Sequence, residues 1–283
     1  MVNILPEMTA YKLASFISDI QYCCSPRDRH AVTNNLRVIL GKDGKDIHRL
    51  AREVFRNFGK YLVEFFRMER MLTKEFIMDR IRIRGIENLK KVLSEGKGGI
   101  IVTAHLGNWE LGGVVLSSLG YPSVAIALPH KERPVNDLFN HQRESRGIKV
   151  IPASFATRHC MQALKENKLI ALVGDRDFGG HGEEMDFLGR KAFIPKGAAL
   201  FSIKTGAPII PIFFVRDEND HFDLNICEPI YSSFVQDGVI ENERVISLIK
   251  QYIVIIEDKI REFPSQWLMF REFWGKSEKI TAT

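Results

Sequence analysis

Cysteine is scarce in this sequence. There are four in 283 residues, two adjacent (Cys23, Cys24) and two isolated (Cys160, Cys227). No CxxC pair and no Asn-x-Ser/Thr sequon occurs, so a zinc ribbon, a disulfide scaffold and a glycosylated secreted chain are poor readings, and a reducing compartment fits best. Long apolar runs are missing too. Nothing approaches the roughly 18–20 residues that span a bilayer. Met1 to Thr9 has no basic segment followed by an apolar core, so no signal peptide is expected and any membrane association is expected to be peripheral. There is no Gly-x-Ser-x-Gly elbow, no GxxxxGK[ST] loop, no GxGxxG after a strand and no HExxH. The eight histidines do not cluster at ligand spacings, so no metal is expected. None of the four cysteines is assigned as a thiolate nucleophile.

What is present is an ordinary globular composition, 45% apolar and 27% charged. The net charge of +5 is unevenly spread: 19 of the 40 basic and 12 of the 35 acidic residues lie in 1–100, leaving 21 against 23 in the rest. A basic first third can face an acidic partner such as an anionic membrane surface or an acidic carrier protein, or it can be a solvated helical face. Nucleic acid is not expected, because the aromatics there follow a helical stripe and no recognition motif appears.

The first third reads as helical. Leu13, Ile17 and Ile20 form one apolar stripe, and Ser25-Pro26-Arg27-Asp28 reads as a helix start with Ser25 as cap, in a helix that stops at Gly41. A longer helix runs from about Asp46 to Met71, with Val54, Phe58, Tyr61, Leu62 and Phe65 as its stripe. Core packing is the simplest role for that stripe; a lipid- or acyl-facing role for part of it is the alternative. Beyond residue 80 the chain alternates in an α/β rhythm. Strands are expected at Ile81–Ile83, Gly98–Thr103, Ser123–Leu128, Lys149–Ile151, Leu169–Val173, Pro208–Val215 and Phe222–Ile226, the last as an antiparallel edge. Helices are expected between them and over Glu243–Phe263. The fold class is therefore α/β: a mostly parallel central sheet flanked by helices, with a helical subregion over 1–80 packed as one unit on an α/β domain over 81–283.

Ligand sites in open α/β sheets lie beyond the carboxyl ends of the strands. Two polar clusters fall there. Thr103-Ala104-His105-Leu106-Gly107-Asn108-Trp109-Glu110 follows one strand. Gly107 allows a tight turn, Asn108 can cap the next helix, and Glu110 lies in its first turn. Gly174-Asp175-Arg176-Asp177-Phe178 follows another. A histidine with a carboxylate partner is a general-base arrangement, and either Glu110 or Asp175 can be that partner. Asp177 can pair with Arg176 or hold a loop. In Gln142-Arg143-Glu144-Ser145-Arg146-Gly147, Arg143 or Arg146 can bind phosphate or steady an oxyanion. Each of these features also has a bland structural reading, as a capped helix or a solvated turn.

The order of these segments resembles that of a known family. His105-Leu106-Gly107-Asn108-Trp109-Glu110 is similar to the HxxxxD/E signature of glycerolipid-type acyltransferases. It matches in particular the HLGNWE form of the lipid A biosynthesis lauroyl/myristoyl acyltransferases, and it is also similar to the phosphatidylinositol mannoside acyltransferases. Arg143 to Gly147, Gly174 to Phe178, Phe187-Leu188-Gly189-Arg190 through Pro195-Lys196-Gly197-Ala198, Ala207 to Pro211, and Gln266-Trp267 onward agree in the same order. Two departures stand out: the membrane-spanning helix of typical lipid A enzymes is not seen, and Phe187 to Arg190 stands where the phospholipid branch has its acceptor block. The resemblance implies acyl transfer from a thioester, on acyl carrier protein or coenzyme A, to a hydroxyl of a membrane glycolipid such as a lipid A precursor. It implies work at the cytoplasmic face of the bacterial inner membrane, with no cofactor beyond the thioester co-substrate.

In that reading His105 is the base, Asp175 its favoured partner and Glu110 a support. Asn108, Arg143, Arg146, Asp177 and Arg190 bind substrate, and backbone N–H groups near Gly107–Trp109 serve as oxyanion donors. A non-catalytic lipid- or carrier-binding protein of the same fold is the alternative.

Overall fold

The computed structural model describes residues 5–41, 45–127, 132–152, 156–177, 180–232 and 241–274. Leu128 and Phe178, named in the sequence analysis, lie outside that set.

Four helices come first: α1 (Glu7–Cys24), α2 (Pro26–Leu40), α3 (Lys45–Met71) and α4 (Lys74–Arg80). Pro26 opens α2, and Gly41 closes it at φ 61°, its N–H returning to the Arg37 carbonyl. Ser25 takes the capping position of α2, but its side chain makes no capping bond. The remainder runs β1 (Ile81–Arg84), α5 (Ile86–Ser94), β2 (Gly99–Thr103), α6 (Trp109–Ser118), β3 (Ser123–Ala127), α7 (Arg133–Glu144) and β4 (Lys149–Pro152). It continues through α8 (Ala156–Lys165), β5 (Leu169–Val173), β6 (Glu183–Phe187), β7 (Arg190–Ile194), α9 (Gly197–Thr205), β8 (Ile209–Arg216), β9 (Phe222–Ile226) and α10 (Glu241–Glu262), and ends in a short 3-10 turn at Pro264–Gln266.

Seven strands form one mostly parallel sheet in the order β1-β9-β8-β2-β5-β3-β4, and β6 and β7 make a separate hairpin. Phe222–Ile226 does pair antiparallel with β8. It is not the edge the sequence suggested, because β1 adds in parallel outside it, with Ile81 opposite Phe222. The reason is non-local: Ile81–Arg84 is too short to announce its partner 141 residues away.

Alternation along the central strands separates two apolar layers. Ile100 and Val102 of β2 and Ile209 and Phe213 of β8 face one layer, shared with α2, α9 and α10. Ile101, Ile210, Ile212 and Phe214 face the other, shared with Leu89, Val92, Leu111 and Val115 of α5 and α6. Strand β8 lies between them with every residue buried. Helix α3, about 40 Å long at 1.5 Å per residue, feeds both layers: Val54, Phe55 and Tyr61 join the first, Phe65 and Met68 the second. Its aromatic stripe is core, as its periodicity suggests.

Candidate active site

Strands β2 and β5 run side by side in parallel, and their register pairs Thr103 with Val173, an offset of 70 residues kept along the whole ladder. The same offset carries on past the strand ends and sets His105 beside Asp175. The Gly174 N–H donates to the Thr103 carbonyl at 2.8 Å, which keeps the two chains together at this point.

Asp175 has no exposed surface and accepts three hydrogen bonds from fixed groups. His105 Nδ1–H donates to Oδ1 at 2.8 Å, the His105 backbone N–H to Oδ2 at 3.1 Å, and Trp267 Nε1–H to Oδ2 at 2.8 Å. Burial by itself would raise the Asp175 pKa. The electrostatic interaction with His105 and the hydrogen bonds from His105 and Trp267 outweigh it and hold the carboxyl below its ordinary value. An ionised, acceptor-only carboxylate at Nδ1 selects the tautomer with the proton there and turns Nε2 away from Asp175. The His105 side chain keeps 21% of its surface exposed.

The turn after β2 is held at both sides. Gly107 N–H donates to the Gln266 carbonyl at 2.9 Å, Asn108 N–H to the Phe214 carbonyl at 3.0 Å, and Leu268 N–H to the His105 carbonyl at 2.8 Å. Gly107 adopts φ 63°, and a Cβ there would collide with the Phe214 carbonyl oxygen, so both conformation and space require glycine. The Gly107 and Asn108 N–H groups are thus committed to the frame, which corrects their assignment as oxyanion donors.

Asn108 caps α6, its Oδ1 accepting from Leu111 N–H at 3.0 Å, while its Nδ2 donates to Glu64 Oε2 at 2.6 Å. Its amide therefore braces the turn. Glu110, in the first turn of α6, does not meet His105. Its carboxylate accepts both Nε and an Nη of Arg143, a two-pronged pair with the Nε bond at 2.9 Å and both side chains nearly buried. Burial works against the Arg143 charge, and Glu110 overrides it, raising the pKa of the guanidinium. Aromatic rings wall the site. Trp109 stands edge-on to His105 with centroids 5.1 Å apart, Tyr61 of α3 stacks on Trp109 at 4.9 Å, and Phe139 lies under the Arg143 guanidinium at 5.6 Å.

This arrangement suits general-base chemistry at the carboxyl end of a parallel sheet. The sequence model of the bacterial lipid A biosynthesis acyltransferases matches residues 1–276. This chain belongs to that family. Among its relatives, the phosphatidylinositol mannoside acyltransferase of Mycolicibacterium smegmatis is 28% identical over 217 residues, covering 75% of this chain and 70% of that protein. The protein of the same name from Mycobacterium tuberculosis is 31% identical over 219 residues, covering 74% and 68%. The lipid A biosynthesis palmitoleoyltransferase of Escherichia coli is 25% identical over 226 residues, covering 78% and 69%.

In this family member the remaining candidates disperse. Arg146 lies beyond the end of α7 and pairs with Glu69 of α3 at 3.5 Å. Asp177 Oδ2 accepts from Gly182 N–H at 2.7 Å and so holds a loop. Arg190 is exposed where β7 starts, opposite Phe187 in the hairpin.

Reading the residues also missed several supports. Trp267 was noted only as part of a resembling segment, yet it anchors the dry side of Asp175 among Phe187, Phe273 and Trp274. Glu64 of α3 gave no signal beyond being a carboxylate in a helix. It lies fully buried, accepting from Asn108, from Tyr11 at 3.0 Å and from Arg216. The Arg216 backbone and the Gln266 side chain exchange two bonds, at 2.9 and 2.7 Å. A polar residue on the core-facing stripe of α3 was the one available hint, since a buried carboxylate needs partners.

Proposed function

We propose that this protein moves a fatty acyl chain from an acyl thioester, on acyl carrier protein or coenzyme A, to a hydroxyl of a membrane glycolipid, with His105 as general base. The observation that carries the reading is the His105–Asp175 pair: a buried carboxylate fixes Nδ1–H, so Nε2 is the nitrogen left to accept a proton. As Nε2 takes the hydroxyl proton, the acceptor oxygen attacks the thioester carbonyl. The new C–O bond forms, the C–S bond breaks, and the imidazolium returns its proton to the leaving thiolate. No covalent enzyme intermediate is needed. Asp175 stabilises the imidazolium without leaving its place. The Glu110–Arg143 pair braces α6 against α7 beside the site and fixes a cationic group where charge develops or a substrate phosphate rests.

The acceptor class is supported by the relatives' names, which pair phosphatidylinositol mannosides with one group and lipid A with the other; a glycolipid hydroxyl is common to both. No helix among the described residues is long and apolar enough to cross a membrane, so we read the association with the inner membrane surface as peripheral.

The test is incubation of the purified protein with radiolabelled acyl-carrier protein and acyl-coenzyme A, each with a panel of phosphatidylinositol mannosides and lipid A precursors, and with His105→Ala as control. Label should enter one glycolipid class with the natural protein and none with the variant. Label that stays on both thioesters with every acceptor would overturn the reading in favour of a binding protein.

A further inference from the structure

Helix α1 has two apolar faces, and the fold uses one. Ala10, Tyr11 and Ser18 are buried against α3, so closely that a Cβ on Gly59 would collide with the Ser18 hydroxyl. On the other side Leu13, Phe16, Ile17 and Ile20 are 38%, 63%, 55% and 49% exposed. The spacing of three and four residues makes them one continuous stripe along the helix. Phe and Ile at such exposure, grouped on one face, mark an interaction surface and not the scatter of single apolar residues found on any protein.

Cations border the stripe. An open cleft of about 370 Å³ lies between α1 and α3, with Lys12 and Phe16 on one wall and Arg56 and Lys60 on the other. Its acids are already held. Asp19 accepts two-pronged bonds from both Arg52 and Arg56 at 2.6–2.8 Å, which keep its carboxyl well below the usual carboxylate range, and Asp220 accepts from Lys60 at 2.5 Å. Two arginines on one carboxylate leave a surplus positive charge. Lys12 adds another, exposed and in no ion pair among the described residues.

We propose that α1 lies in the plane of an anionic lipid surface, with Leu13, Phe16, Ile17 and Ile20 entering the acyl-chain boundary and Lys12, Arg52 and Arg56 level with the phosphates. An in-plane helix of this kind needs an apolar face, a basic border and no spanning length. Charge decides between lipid and a second copy of the chain. Two copies meeting through this stripe would bring the Lys12 and Arg52–Arg56 clusters of like sign together, whereas an anionic bilayer neutralises them. The inference rests on the acyltransferase reading only for its purpose, which is to bring the site to a membrane-bound acceptor. Helix α1 also belongs to the frame of the site: Tyr11, on its buried face, donates to Glu64, and Glu64 accepts from Asn108 of the turn that follows His105.

The test is cosedimentation of the full chain with vesicles of phosphatidylcholine alone or with one-third phosphatidylglycerol, beside Phe16→Ser/Ile17→Ser and Lys12→Glu. The natural protein should prefer the anionic vesicles. The double variant should bind them at least about tenfold more weakly with its urea midpoint unchanged, since both side chains are already in water. Lys12→Glu should weaken anionic binding about fivefold or more and leave neutral binding alone. Equal vesicle binding by the double variant, no binding by the natural protein, or a dimer that the double variant dissolves would each overturn the inference. Acyl transfer to acceptor in detergent separates the two readings. Vesicle binding through α1 without transfer to any acceptor sinks the enzyme reading alone. Transfer that is intact in a protein indifferent to the stripe sinks the docking face alone.

Discussion

Asp175 and Glu64 are both carboxylates without exposed surface, and both gather three or more hydrogen bonds around the same turn. They differ in what they hold. Asp175 ends a strand and grips an imidazole whose ring keeps 21% of its surface open. Glu64 sits inside α3 and grips a guanidinium, Arg216, that is only 9% exposed and further enclosed by the Tyr11 and Phe222 rings at 5.3 and 4.8 Å. Burial by itself would lower the Arg216 pKa, and the neighbouring Glu64, with Tyr11, more than offsets it. A dry carboxylate thus says little about reactivity. Its partner decides, according to whether it presents a second functional atom at the surface or is consumed on every side. By that criterion the Asp175 pair is the one that suits the proposed base, and the Glu64 pair is frame.

The sharpest break of the comparison is His105→Ala. Acyl transfer should fall by about 10²–10⁴-fold, the usual contribution of a positioned base, while the urea midpoint hardly moves. Near-normal turnover would remove His105 from the mechanism. Glu64→Ala should do the reverse. Leaving Arg216 buried with only the more distant Asp220, at 3.5 Å, as counter-charge should cost about 3 kcal/mol of unfolding free energy, with turnover per folded molecule much less affected. Glu64→Leu/Arg216→Met should recover part of that loss, and only part, because Tyr11 and Asn108 lose an acceptor as well. A cost below about 1 kcal/mol for Glu64→Ala would return the pair to the class of weak surface ion pairs.

Asp175→Asn tests the first pair from its other end. Turnover should drop at least about tenfold, because an amide no longer stabilises the imidazolium. Its pH signature is distinct. A carboxyl held below its ordinary value of about 3.9 contributes stability that is complete above that pH and is lost as acid protonates the folded state below it. Unfolding free energy followed from about pH 5 downward should therefore fall less steeply in the Asn variant than in the natural protein. Glu110→Gln should lose less turnover than His105→Ala or Asp175→Asn, since its partner is Arg143 and not the base. A loss larger than that of Asp175→Asn would reverse the two roles.

Much of the fold was legible because its signals are local. The α3 stripe, the Gly41 stop of α2, the wholly apolar β8 and the polar residues just beyond β2 and β5 each declare themselves within a dozen residues. In the site, the residue types were legible, but the residues alone left both Glu110 and Asp175 open as partner of His105, and only the family resemblance favoured Asp175. Glu110 lies five residues from His105 and looks like its natural partner, yet α6 turns it toward Arg143. Asp175 lies 70 residues away and arrives through the register of two strands. The stripe of Leu13, Ile17 and Ile20 was equally plain, but a helical period marks an apolar face without saying what covers it. Glu64 was hidden because its role exists only once α1, α3, α6 and β8 converge on it.

Taken by itself, then, the sequence determined the periodicities, the turn chemistry at Gly107 and the order of motifs that ties the chain to its family, because each depends on neighbours along the backbone. The tertiary structure alone decided which carboxylate meets His105, which backbone N–H groups are committed to holding the turn, and which face of α1 is left to water. Those outcomes depend on strand register and helix docking, where groups far apart in sequence compete for the same few ångströms.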